Sequence, residues 1–212
     1  MHNTINNLEN IKNKLVNYPN AKIIAVSKTF NQEHIVPLLD YGHKDFGENK
    51  IQEALQKWPS LKEKYTDIKL HMIGKLQTNK VKFALKIFDY IHSLDSEKLA
   101  NKIADEQQKH KKKSKIFIQV NMGNEDQKSG IDKRNLNDFY KFCKNLNLDI
   151  IGTMCIPPND GYTEKYFSEM SDINKELNCK ELSMGMSADY LEAIKYNATY
   201  VRVGSKIFGI RD

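Results

Sequence analysis

The run Ala21-Lys-Ile-Ile-Ala-Val-Ser-Lys28 reads as a buried strand that ends on an amine. Strand side chains alternate between faces, so Ile24, Val26 and Lys28 share one face. If that face is a core, Lys28 stands at its mouth. An amine in such a place must be paired, lose its charge or enter chemistry. One such use is a Schiff base with an aldehyde, for which a desolvated lysine is the nucleophile. The ordinary alternative is a lysine that reaches past the strand end into solvent.

Near the other end of the chain, Ser183-Met-Gly-Met-Ser187 is expected to follow a strand and open a helix. Gly185 lets the backbone approach an anion there, and free N–H groups at a helix start bind phosphate. The expected cradle comprises Ser183, Gly185, Met186 and Ser187, with Ser187 as phosphate ligand or plain N-cap. Gly204-Ser205 repeats the pattern after the next strand. Arg202 is expected to point inward with Tyr200 while Val201 and Val203 face outward. A buried arginine needs a partner, either a ligand or a structural ion pair. An imine-forming lysine, a phosphate cradle and an arginine at one mouth fit pyridoxal 5'-phosphate, PLP. A cation beside its ring nitrogen keeps that nitrogen unprotonated, which makes a poorer electron sink.

The elements that must position these groups alternate along the chain. Strands are expected over residues 22–27, 44–47, 69–73, 90–93, 115–121, 149–155, 181–184 and 199–203. Helical spacing appears in Leu136, Phe139, Tyr140 and Cys143, and again in Tyr166, Met170, Ile173 and Leu177. Asn31 and Ser96 or Asp95 are expected to cap two further helices. Such alternation predicts a parallel sheet with helices outside it. Eight strands fit a single (β/α)8 TIM-type barrel over residues 1–212, with an extra N-terminal helix over 4–16. A doubly wound open sheet is the alternative. In a barrel the strand C-terminal ends form the functional rim, and His71, His92, Gln119 and Cys155 are assigned to it with Lys28.

The chain carries 33 basic and 27 acidic residues, a net charge of +6. Its dense basic cluster, Lys109-His-Lys-Lys-Lys-Ser-Lys115, lacks interleaved aromatics and reads as a solvated helix end. Nucleic acid is therefore not an expected partner. Three cysteines without a CxxC pair and six histidines without HExxH spacing give no support for a disulfide framework or a metal site. No apolar run approaches the roughly 18 residues that span a bilayer, and the N-terminus does not read as a signal peptide. A cytoplasmic monomer is the expectation.

Six motifs in order carry a family resemblance: Ala25-Val-Ser-Lys28, Phe46-Gly-Glu-Asn49, His71-Met-Ile-Gly74 with Leu76-Gln-Thr-Asn-Lys80, Ser129-Gly-Ile131, Leu182-Ser-Met-Gly-Met-Ser187 and Val201-Arg-Val-Gly-Ser-Lys-Ile-Phe-Gly209. Together they resemble the YggS/PROSC family of pyridoxal phosphate homeostasis proteins, from about Ala21 onward. The resemblance implies a barrel like the N-terminal domain of alanine racemase. It implies Lys28 as the Schiff-base lysine and phosphate contacts from the 183–187 loop, Gly204 and Ser205. It also implies Arg202 near the pyridine nitrogen and Asn49 lining the pocket. The implied function is intracellular PLP homeostasis by reversible binding, without established turnover and with transient PLP-acceptor enzymes as partners. No room is expected after Phe208-Gly-Ile-Arg-Asp212 for the second domain of a racemase. Lys50 departs from the expected apolar residue after Asn49 and is read as a solvent-facing helix start. The competing functions are a PLP-dependent racemase or lyase with His71, Tyr200 or Cys155 as second acid/base group, and a Schiff-base aldolase.

Overall fold

The computed structural model describes residues 2–123 and 129–209. Of the segment Phe208-Gly-Ile-Arg-Asp212, Ile210-Arg-Asp212 lies outside the described residues.

Among the described residues, nine strands form in the order β1 (Lys22–Val26), β2 (Asp45–Glu48), β3 (Lys69–Met72), β4 (Tyr90–Leu94), β5 (Lys115–Asn121), β6 (Ile131–Asp132), β7 (Ile150–Met154), β8 (Glu181–Met186) and β9 (Tyr200–Val203). The helices are α1 (Asn3–Lys14), α2 (Gln32–Asp40), α3 (Ile51–Lys64), α4 (Val81–Ile87), α5 (Glu97–His110), α6 (Leu136–Asn145), α7 (Thr163–Glu176), α8 (Tyr190–Lys195) and α9 (Ser205–Phe208). All pairings are parallel, in the order β4-β3-β2-β1-β9-β8-β7-β5, and a β4–β5 pairing closes the ring. That closure makes an eight-stranded barrel and rules out the open sheet. The two-residue β6 is a short spur on the end of β5.

Alternation along the strands divides the interior into two cores. Ile23, Ala25, Phe46, Leu70, Ile116, Ile118, Val201 and Val203 face outward into the layer between barrel and helices. Ile24, Val26, Tyr90, Phe117, Met154 and Tyr200 face the barrel axis. Polar residues share that axis: His71, His92, Ser183 and Arg202 are all buried there. Ring stacking pays for part of their desolvation, with His71 on Tyr90 and His92 on Phe117 at 4.2 Å between centroids.

Two helices differ from expectation, α7 in its buried face and α2 in its cap. On α7, Phe167, Met170, Ser171 and Asn174 are buried, while Tyr166 and Ile173 lie at the margin. The burial of Asn174 follows from its bonds: its Oδ1 accepts from Thr153 N (3.1 Å) and Oγ1 (2.8 Å), and its Nδ2 donates to Cys179 O (3.0 Å). A polar group so satisfied is tolerated inside. Asn31 holds the N-cap position of α2, but its Oδ1 pairs with His34 Nδ1 (2.7 Å) instead of a backbone N–H. Ser96 caps α5 as expected, accepting from Leu99 N. The basic cluster begins in the last turn of α5 and runs past its end, where Lys111 turns left-handed at φ 49°.

Candidate functional site

Ile24 and Val26 form the inner row of β1, and Lys28 follows, half-buried just past the strand end. The turn that presents Lys28 is bent, with Thr29 at φ 69°, a conformation that a β-branched residue adopts only when its surroundings impose it. Those surroundings are residues of β2 and α3. Lys57 Nζ donates to Ser27 O (2.9 Å) and Phe30 O (3.1 Å) and pairs with Glu48 (2.7 Å) and Glu53 (2.8 Å). Glu53 also accepts the Thr29 N–H. Glu48 Oε1 accepts from Ser27 Oγ (2.8 Å) and Trp58 Nε1 (3.1 Å). Burial pushes the Glu48 carboxyl above its usual range, against the opposing pull of Lys57. Sequence reading missed this clamp. The i,i+4 pair Glu53–Lys57 was its one legible trace.

Arg202 is 4% exposed on the inner face of β9, beside Ile24 of β1 in the sheet register. Its Nη1 donates to Ser183 Oγ (2.7 Å) and its Nη2 to Cys155 O (2.8 Å). Ser183 is therefore an inward residue within β8 and not part of a loop. The expected 183–187 loop is corrected to a strand that runs to Met186 and bulges on the way. The bulge is at Gly185, whose φ is +87°. A Cβ there would lie 2.5 Å from Ala193 Cβ and 3.0 Å from Tyr190 Cα, so glycine lets α8 settle on β8. The helix opens only at Tyr190, with Asp189 and not Ser187 at its N-cap position. Asp189 Oδ1 accepts the Met186 N–H at 2.6 Å. Ser187 Oγ accepts the Gly204 N–H at 3.2 Å, which ties the ends of β8 and β9 together.

Ser205 is exposed at the start of α9, whose N–H groups at 205 and 206 precede the first intrahelical bond. Phe208 stacks on Phe30 at 5.0 Å, so this turn packs against the turn that carries Lys28. Lys28, Ser187, Gly204 and Ser205 thus stand at the C-terminal ends of the neighbouring strands β1, β8 and β9, with Arg202 buried just before them on β9. Asn49, half-buried at the end of β2 and so next to the end of β1, lines a cavity of about 430 Å³ with Gly74, Gln119, Asn121 and Ser129. A Cβ at Gly74 would fall 2.4 Å from Asn49 O, so glycine there allows Asn49 its place. Lys50 is exposed at the N-cap position of α3, as expected. Such a donor set suits a ligand with an aldehyde, an anionic group and a ring acceptor.

His71, Tyr200 and Cys155, the acid/base groups that the competing enzyme reading would need, serve elsewhere. His71 is fully buried in β3 and its Nε2 bonds Asp45 Oδ1 (3.0 Å) at the start of β2. The Tyr200 hydroxyl accepts from Lys22 Nζ (3.1 Å) at the start of β1, the end of the barrel opposite Lys28. Burial pushes the Cys155 thiol up to about 12. His92 Nδ1 bonds Ser183 Oγ (2.9 Å) and its Nε2 meets His71 Nδ1 (2.9 Å). Among the described residues no cluster of side chains could hold a metal ion.

A closed parallel barrel with this rim defines a class: the family model for the alanine racemase N-terminal domain matches residues 1–212. The chain is 38% identical over 201 residues to the pyridoxal phosphate homeostasis protein of Aquifex aeolicus, covering 90% of this chain and 87% of that protein. PipY of Synechococcus elongatus PCC7942 superposes with a TM-score of 0.92 without PLP, at 32% identity over 98% of this chain and 100% of that one. Its PLP-bound form gives 0.87 at 30% identity, over 97% and 100%. A Clostridium difficile alanine racemase shares the fold alone, at 19% identity and a TM-score of 0.75 over 57% of its length. The chain belongs to the pyridoxal phosphate homeostasis protein family, YggS/PROSC, within the alanine racemase N-terminal domain class.

Proposed function

We propose that this protein binds PLP reversibly and acts in intracellular PLP homeostasis, as a carrier without turnover. Lys28 Nζ is the group that takes the aldehyde. Ser187, Gly204 and Ser205 hold the phosphate, with Met186 and Gly185 shaping their approach. Arg202 faces the ring nitrogen, and Asn49 lines the pocket. Ser183 contributes through Arg202. The observation that carries this reading is the convergence of the Lys28 turn with the 204–208 turn, through Phe30 and Phe208, above a buried Arg202. A PLP-bound relative with the same barrel supports it. When bound, PLP would supply an aldehyde that exchanges between amines. The protein would hold that aldehyde in reserve for acceptor enzymes, as a single-domain cytoplasmic monomer. Among the described residues no helix is long and apolar enough to cross a membrane.

The test is the visible spectrum of protein incubated with PLP, before and after borohydride, with the modified residue mapped by mass. A visible band, its loss on reduction and a pyridoxyl adduct on Lys28 are expected, and Lys28→Ala should lack all three. An unchanged band in Lys28→Ala would remove the lysine from this role.

A further inference from the structure

An unbroken file of hydrogen bonds crosses the barrel. It runs from Arg202 Nη1 to Ser183 Oγ (2.7 Å), from Ser183 Oγ to His92 Nδ1 (2.9 Å), from His92 Nε2 to His71 Nδ1 (2.9 Å) and from His71 Nε2 to Asp45 Oδ1 (3.0 Å). Its members come from five strands, β9, β8, β4, β3 and β2. Arg202, Ser183, His92 and His71 are buried, and Asp45 reaches the barrel's N-terminal end.

With both rings neutral, the chemistry of the two ends fixes every proton between them. Guanidinium only donates, and ionised carboxylate only accepts. Asp45 therefore takes a proton from His71 Nε2–H. A neutral His71 then has an accepting Nδ1, which requires Nε2–H on His92. The accepting Nδ1 of His92 takes the Ser183 hydroxyl proton, and Ser183 Oγ accepts from Arg202. All four bonds point the same way, from cation to carboxylate. The surroundings keep both rings neutral. Burial drives the His71 and His92 pKa values down, the latter also through His71 and Arg202, and the neighbouring Asp45 only partly restores His71. Asp45 is itself held ionised below its usual range by His71 and Lys69, against burial. Other groups that face the file include the Tyr90 ring beside His71, the Tyr200 ring beside both His71 and His92, Phe117 beside His92, His43, whose Nε2 bonds Asp45 O at 2.9 Å, Asp89 towards His71, and Cys155 and Asp189 towards Arg202.

We propose that Asp45, at the opposite end of the barrel from Lys28, is a positioning residue of the cofactor site: it sets the tautomers of His71 and His92 and so holds the Arg202 guanidinium in one orientation. This rests on the reading that Arg202 faces the PLP ring. Without the Asp45 acceptor, the alternative tautomers become available. Ser183 Oγ then accepts from both His92 and Arg202, and its own proton loses its partner.

The test begins without ligand. Imidazole nitrogen NMR of the whole protein should find both rings neutral with the proton on Nε2. In Asp45→Ala, one or both rings should change tautomer and Arg202 guanidinium rotation should quicken. Asp45→Asn, which keeps an acceptor oxygen, should restore both signals. Nδ1–H or doubly protonated rings in the unmodified protein would overturn the proposal, as would unchanged tautomers in Asp45→Ala. With PLP added, Asp45→Ala should weaken retention by about 2- to 30-fold, the usual reach of a coupling through packed networks. It should also shift the pH profile of the visible band. Altered tautomers with an unaltered band and retention would overturn the link to the site. Absence of any band in the unmodified protein would instead overturn the PLP reading alone, because tautomers and guanidinium rotation are read without ligand.

Discussion

At the scale of single residues, Lys57 does more than its sequence position announces. It satisfies two backbone carbonyls of the Lys28 turn and two carboxylates at once. Replacing it by Met would leave Glu48 buried and unpaired, and breaking a buried pair from one side costs about 3–5 kcal/mol. Urea unfolding of Lys57→Met should show a loss of that order, with weaker PLP retention because the Lys28 turn loosens. Histidines set the acid response. Burial lowers the pKa of His43 from 6.5 to about 4, and also lowers those of His71 and His92. Below 6.5 the unfolded chain takes up protons that the folded chain refuses, so stability falls as pH falls from 6.5 towards 4. Denaturant midpoints measured across that window should decline, and His43→Gln should flatten the slope.

At the scale of elements, β8 departs furthest from a regular strand. Gly185→Ala forces a Cβ into α8 and into a left-handed backbone, so a stability loss of at least about 1 kcal/mol is expected in urea. The same bulge explains why the end of β8 was misread as a loop opening a helix. Its residue types are those of a phosphate loop, and sequence does not distinguish a glycine needed for a bulge from one needed by an anion. The strands themselves were legible almost to the residue, because a parallel strand covered on both faces leaves a short apolar run between polar ends. On α7 the sequence misled, since Asn174 is buried by bonds to β7 and to the loop after the helix that no helical periodicity records.

At the scale of the molecule, PLP binding should act as a clamp between β1 and β9. A ligand at 100 times its dissociation constant adds about 2.7 kcal/mol. For a chain of this length each kcal/mol moves the thermal midpoint by about 2–4 °C. Saturating PLP should thus raise the midpoint by about 5–10 °C, and Lys28→Ala should lose most of that rise. A rise equally large in Lys28→Ala would show that the phosphate contacts alone supply the affinity.

The sequence by itself determined the number of barrel strands, the inward direction of Arg202 and the exposure of Lys50. Each of these follows from covalent geometry and local composition, because side chains alternate along a strand whatever lies beside it. Only the tertiary structure decided what those side chains meet. Ser183 bonds His92 across 91 positions of sequence, and Lys57 reaches the Lys28 turn from 30 positions away. Such partnerships depend on strand order, register and the closure of β4 on β5, which set the residues of distant segments side by side on one axis. The commitment of Met186 N–H to Asp189, the burial of His71 far from the rim and the one-way file from Arg202 to Asp45 all arise at that level.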